Sequence, residues 1–340
     1  MRKPKTFWAH WELRKNPFGN IETANDVFES NEMMRAMDHL AEAVEEGGIY
    51  SITGERGIGK TTIKHEMMQY LGDNPHRFAI SVLDSMDMNL VRMTTIHAAL
   101  VMDLSNETPK GFAEHRGRQV RRILGELTAA GKSVVLMIDE SQNLRFPTME
   151  SLKMLTEMRW ALLKKRLITI LLFGQPVLDA RLARDDGLRL RVTPFRMKGL
   201  TTDEVLQYID LRCRTAGGNM TEIFNDDALT YIAEHQHSPL HINGVCSQCM
   251  RAARSAGEKK VSIEMVYSCG GIRSPKTILR ENGITIHKFA KMVGLSDRTV
   301  NRVLNGQENI VSDEQKKKFN AGLSGMIRSD EQHQTESQVG

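Results

Sequence analysis

Gly54-Glu55-Arg56-Gly57-Ile58-Gly59-Lys60-Thr61 is the most informative run of residues in this chain. It fits the spacing G-x-x-x-x-G-K-[ST]. An apolar run, Ile49 to Ile52, precedes it and predicts a strand, while a helical pattern, Lys60 to Leu71, follows it. Glycines let successive backbone N–H groups curl around phosphate oxygens, and a helix beginning at Lys60 aims its positive end at them. The candidate nucleotide-binding set is therefore Gly54, Glu55, Arg56, Gly57, Ile58, Gly59, Lys60, Thr61 and Thr62. Lys60 is expected to reach the β and γ phosphates of ATP, and the Thr61 hydroxyl to ligate Mg2+.

On either side of this loop, short apolar runs alternate with longer helical patterns. Phe78 to Val82, Val134 to Ile138 and Leu167 to Phe173 predict buried strands. Val27 to Val44, Leu90 to Leu104, Gln119 to Ala130 and Met149 to Leu163 predict helices. This alternation points to an α/β fold, a parallel sheet covered by helices on both faces. The strand Val134 to Ile138 runs into Asp139-Glu140. At the mouth of a parallel sheet, Asp139 is placed to hold the metal and Glu140 to orient and deprotonate an attacking water. The strand Leu167 to Phe173 ends in Gly174-Gln175-Pro176, and the Gln175 amide is positioned to hold that water or the γ-phosphate. From Lys153 to Lys198 the chain carries eleven Lys and Arg against four Asp and Glu, which makes its arginines candidates for charge neutralisation in phosphoryl transfer.

Three helical patterns follow Gly199, at Asp203 to Ala216, Asp226 to His235 and Pro239 to Ala256. Within the third, Cys246-x-x-Cys249 supplies only half a zinc site and is read as buried free thiols. Cys269-Gly270-Gly271 and Ser274-Pro275 mark a linker into a last unit. There, a helix over Thr285 to Met292, a turn at Gly294, and a second helix capped by Ser296 and running through Leu304 form a helix-turn-helix pattern. Its second helix exposes Ser296, Asp297, Arg298, Thr299, Asn301 and Arg302, with Val300, Val303 and Leu304 turned inward. Ser296, Arg298, Thr299, Asn301 and Arg302 are the candidate DNA contacts. Residues 271–320 hold ten Lys and Arg against five Asp and Glu, as binding to phosphates requires.

These readings divide the chain into an N-terminal docking segment and helix (1–44), a nucleotide-binding core (45–200), a helical lid (201–270), a DNA-binding unit (271–320) and a disordered tail (321–340). The overall charge of +4 is too small to name a partner by itself, and four cysteines among 340 residues are too few for a disulfide-stapled secreted scaffold. The start lacks a secretory pattern and the longest apolar runs are too short to cross a bilayer, so a cytoplasmic protein with no membrane partner is expected.

Leu13-Arg14-Lys15-Asn16-Pro17-Phe18, the phosphate loop, Asp139-Glu140-Ser141-Gln142 and Gly174-Gln175-Pro176 occur in that order. In this the chain resembles ATPases of the AAA+ class related to ExeA, TniB, TnsC and the Mu B protein, over roughly residues 8–265. The resemblance implies a P-loop AAA+ core with a helical lid, assembly of a homo-oligomer as a ring or helical filament, and nucleotide bound at subunit boundaries. It makes Gln175 the first sensor and places Arg189 or Arg191 at the arginine-finger position. It also implies regulation of transposition, with double-stranded DNA and a transposase as partners. The segment Val293 to Gly306 looks like the helix-turn-helix of the Cro and LacI type repressors. One departure stands in the lid: where relatives have Pro-Arg-x-Ile-Asn, this chain has Pro239-Leu240-His241-Ile242-Asn243. A second sensor arginine is missing, and His241 is the available substitute. Two other functions fit parts of the pattern: a secretion-type ATPase resembling ExeA, and a DNA-binding regulator that uses ATP as a switch with negligible hydrolysis.

Overall fold

The structure, a computed structural model, describes residues 6–21, 26–83, 90–160, 165–269, 275–304, 311–312 and 314–323. In chain order the elements are α1 (Asn31–Glu46), β1 (Gly48–Thr53), α2 (Lys60–Gly72), β2 (Phe78–Leu83), α3 (Met93–Leu104), α4 (Ala113–Ala129), β3 (Ser133–Ile138), α5 (Phe146–Glu157), β4 (Thr169–Gly174), α6 (Val177–Leu182), α7 (Asp186–Arg189) and β5 (Val192–Arg196). Then come α8 (Thr202–Thr215), α9 (Met220–Ile223), α10 (Asp226–His235), α11 (Pro239–Ala256), α12 (Ile263–Cys269), α13 (Pro275–Glu281), α14 (Ile286–Val293) and α15 (Asp297–Leu304). The chain divides into two compact units, residues 11–220 with 229–244, and residues 1–10, 221–228 and 245–340.

In the first unit all five strands run parallel, in the order β2-β3-β4-β1-β5. The strands read as unbroken apolar runs because both faces are covered. Val134, Leu136, Ile138, Ile170 and Leu172 turn to one face, in a cluster with residues of α3, α4, α5 and α6. Val135, Met137, Leu171 and Phe173 turn to the other, against Leu40, Ile63 and Met67 of α1 and α2. Alternation with period two does this sorting. Full burial of a side chain such as Phe173, which has no exposed surface, contributes about 2–3 kcal/mol.

The strand β5 was not expected from the sequence. Its residues Val-Thr-Pro-Phe-Arg are half-exposed or exposed, and Pro194 is tolerated because β5 lies at the sheet edge. The helix expected from Val27 starts instead at Asn31. The Ser30 hydroxyl accepts the Met33 N–H at 3.1 Å and sets that start. The Asn31 N–H donates to the Glu204 carboxylate at 2.9 Å, and the same carboxylate accepts the Thr201 N–H at 2.9 Å in the capping box of α8. One buried acid thus closes the first turns of α1 and α8. Burial alone would raise its pKa, but the hydrogen bonds from Thr201 and Asn31 outweigh burial and hold it below the usual carboxylate value.

The docking segment packs on its own chain. Arg212, 2% exposed on α8, donates to the carbonyls of Pro17 (2.6 Å), Gly19 (2.5 Å) and Asp26 (3.4 Å). Lys15 meets the Asp26 carboxylate at 2.7 Å, and Leu13 and Phe18 are buried. Phe7 belongs to the second unit, where the Arg251 guanidinium lies 4.1 Å from its ring centroid.

The second unit is helical among its described residues, apart from an isolated bridge between Phe224 and Val261. Cys246 and Cys249 are buried thiols outside any disulfide. A separate small core joins Ile278, Phe289, Val300 and Val303 to Phe319 and Leu323 of the helical stretch 314–323, with the Phe289 and Phe319 rings edge-to-face at 5.2 Å. Residues 321–323 therefore belong to a packed helix rather than to the disordered tail expected from 321. Residues 324–340 lie outside the described residues, as do 270–274 of the expected linker. Thr285 caps α14, Gly294 ends it in a left-handed conformation, and the Ser296 hydroxyl accepts the Thr299 N–H at 3.1 Å to start α15.

The Glu204 carboxylate predicts an acid-sensitive joint. Its folded-state pKa lies below the unfolded one, so its contribution is complete above the unfolded value and is lost as pH falls through the folded one. Glu204→Ala is expected to lower stability by about 1–2 kcal/mol at neutral pH. Denaturant titrations should show the gap to the parent closing as pH drops through the acidic range.

Candidate functional site

The strand order places β4 between β1 and β3, so the three segments that follow these strands emerge along one edge of the sheet. The phosphate loop follows Thr53, the acid pair follows Ile138, and Gln175 follows Gly174. All line one cleft of about 790 Å³, together with residues 56–62 of the loop. Asn20, Ile21, Val27, Phe28 and Tyr208 line the same cleft and give it a largely apolar wall.

Two glycines let the loop curl. Gly59 caps α2 with φ +112°, and Gly57 has φ +73°, in the region that side-chain-bearing residues avoid. Gly57 is also crowded: a Cβ there would lie 2.1 Å from Leu240 Cβ. Leu240 N–H donates to the Gly57 carbonyl at 3.3 Å and Ser238 Oγ to the Arg56 carbonyl at 3.3 Å, so the start of α11 is fastened to the loop. His241, the expected substitute for a lid arginine, is exposed there, and the cleft is lined by Pro239, Leu240 and Asn243 rather than by His241.

Lys60 Nζ donates to the Gly54 (2.6 Å) and Glu55 (2.8 Å) carbonyls, which hold the ammonium over the loop. Burial lowers its pKa, and the Glu140, Asp139 and Glu55 carboxylates oppose that shift only in part. Phosphate oxygens placed there would return the charge to an anionic setting. Glu140 is exposed and takes a left-handed backbone, φ +47°, at the tip of β3. Its carboxylate accepts from Gln142 Nε2 at 2.5 Å.

Gln142, quoted above only as part of the segment Asp139-Glu140-Ser141-Gln142, has a role that the sequence does not assign. It is buried, donates to Glu140, and through its Oε1 accepts the Gln175 N–H at 3.1 Å. Its own carbonyl accepts from the Arg181 guanidinium, which also reaches the Leu144 carbonyl at 2.5 Å. Gln142 lies four positions past the end of β3, and the burial that marks it is not written in the sequence. Lys64, likewise unassigned by the sequence, forms an ion pair with Asp139 at 2.6 Å.

Arg189 and Arg191 are not brought to this cleft. Both precede β5, whose first residue, Val192, is opposite Ile49, so they sit at the other end of the sheet from the loop. Arg189 pairs with Asp186 at 3.0 Å and Arg191 with Glu157 at 2.8 Å. In the second unit, Ser296 and Thr299 hydroxyls bond each other at 2.8 Å. Arg298 and Asn301 are exposed, Arg302 is half-buried, and Val300 and Val303 face inward.

The donors suit magnesium. The Thr61 hydroxyl and the Asp139 carboxylate are hard oxygen ligands in the same cleft. No cluster of three or more His, Cys, Asp or Glu able to hold a metal exists among the described residues, so phosphate oxygens and water would complete the shell.

Fold and cleft together define the class, a P-loop AAA+ fold. Residues 43–182 match the family model of the AAA domain. The general secretion pathway protein A of Aeromonas hydrophila is 27% identical over 281 residues, 78% of this chain and 49% of that protein. The chain thus spans about half the length of that relative. Among solved structures, Cdc6p from Pyrobaculum aerophilum superposes with a TM-score of 0.57 at 16% identity, over 92% of this chain and 89% of that one. Aeropyrum pernix ORC2, in its ADPNP and ADP complexes, gives 0.54 at 12% identity over 92% and 89%. Drosophila ORC bound to DNA gives 0.54 at 14% identity over 96% and 85%. These three share the fold.

Gly57→Ala is expected to combine backbone strain of about 1–2 kcal/mol with a collision against Leu240. Titration with a fluorescent adenine nucleotide should show affinity at least tenfold weaker than the parent's, with the folded far-UV spectrum kept.

Proposed function

We propose that this chain is a Mg2+-dependent ATPase that assembles on double-stranded DNA and regulates transposition by recruiting or activating a transposase at target sites. The observation that carries the nucleotide part is the convergence of Lys60, Thr61, Asp139, Glu140 and Gln175 on one cleft. Within that cleft Lys60 binds the β and γ phosphates and Thr61 with Asp139 holds the metal. Glu140, oriented by Gln142, takes a proton from the attacking water, and Gln175 senses the γ-phosphate. Magnesium, when bound, neutralises charge on the phosphates.

Arg189 and Arg191, remote from their own cleft and exposed, suit donation to a neighbouring copy, as the homo-oligomer reading requires. The division into core (45–200), lid (201–270) and DNA-binding unit (271–320) belongs to the same proposal, as does a cytoplasmic location. No helix among the described residues is long and apolar enough to cross a membrane. DNA binding is supported by the basic balance of residues 271–320 and by the exposed Arg298 and Asn301 on α15, with Ser296 and Thr299 serving the cap first. The transposase rests on the motif resemblance. A second reading, a secretion-type ATPase, is favoured by the match to the Aeromonas protein.

Lys60→Ala should abolish ATP binding measured by calorimetry. Glu140→Gln should bind ATP while turnover falls about 10²–10⁴-fold; equal turnover in variant and parent removes Glu140 as the base. For DNA, Arg298→Ala should weaken affinity across sequences and reduce the slope of log affinity against log salt by about one. An unchanged slope in fluorescence anisotropy would move the DNA surface off α15.

A further inference from the structure

Lys60 and Lys64 stand one helical turn apart on α2 and both turn toward the acids at the tip of β3. Their partners differ. Lys60 bonds to loop carbonyls, whereas Lys64 Nζ lies 2.6 Å from Asp139 Oδ2. The other oxygen of that carboxylate, Oδ1, accepts the Glu140 N–H at 2.8 Å. Each oxygen of the proposed metal-holding acid therefore already has a protein donor, one of them a full positive charge. The side chains of Lys64 and Asp139 are only 12% and 26% exposed, so water screens the pair weakly. Lys64 does not line the cleft, which leaves the nucleotide's path to the loop open.

We propose that Lys64 is a resident counter-cation for Asp139, so that the cleft accepts a nucleotide diphosphate or triphosphate without requiring a divalent metal to neutralise that carboxylate. This inference rests on the nucleotide reading of the cleft. An unpaired carboxylate beside the loop would repel the phosphates, and in most of a cleft's range of effective dielectric that repulsion weakens binding by about tenfold or more. A protonated lysine fixed on the acid cancels it. Lys64 is thus a positioning and charge-balancing residue, with no contact to the reacting atoms.

The experiment compares ADP affinity in excess Mg2+ with ADP affinity in EDTA, by calorimetry, for the parent, Lys64→Met and Lys64→Arg. The parent should bind in EDTA within about threefold of its Mg2+ value. Lys64→Met, which keeps the apolar stem, should widen that ratio to tenfold or more while losing little affinity in Mg2+, and Lys64→Arg should keep the parent's small ratio. A Lys64→Met ratio equal to the parent's, an equal loss in both buffers, or a widened ratio in Lys64→Arg would overturn the assignment alone. A parent that binds no ADP in either buffer would overturn the nucleotide reading and this inference with it.

Discussion

The parallel pairing of β4 with β1 on one side and β3 on the other is the constraint on which the site depends. The phosphate loop and the acid pair are far apart in the chain and share no local structure. They meet because three strands of equal direction end at one edge, and because apolar residues alternate to both faces of each strand. A slip of one residue in β3 would exchange Leu136 and Met137 between the two clusters and carry the acid pair with it. The register is therefore fixed by burial on two faces at once, and the chemistry inherits that precision.

Strong local signals made the central part legible. Four of the five strands, the loop and the helix after it follow from apolar runs and glycine spacing, and the helices α10 and α11 begin and end where the sequence pattern places them. The strand β5 escaped because an edge strand buries little and its Val-Thr-Pro-Phe-Arg pattern carries a proline. The start of α1 escaped because it is decided by a distant group: Glu204, far along the chain, accepts the Asn31 N–H.

The same distinction runs through the candidate site. Glycine-lysine-threonine and a strand ending in two acids can be read from one sequence, since each is contiguous. Gln142 and Lys64 cannot, because their significance lies in what they touch across the fold: the Gln175 N–H in one case, the Asp139 carboxylate in the other. Arg181 is similar. It was one of several arginines in a basic stretch, and only the fold reveals that it serves main-chain carbonyls at Gln142 and Leu144.

The grip of Arg212 on the docking segment has a consequence for how this cleft can change. All three of its acceptors there are main-chain carbonyls, those of Pro17, Gly19 and Asp26. A guanidinium that reads only the backbone is indifferent to the side chains mounted on it. The wall built from Asn20, Ile21 and Val27 can thus be rewritten, residue by residue, while the main chain that Arg212 holds stays anchored, which makes it the part of the cleft whose shape is most freely altered.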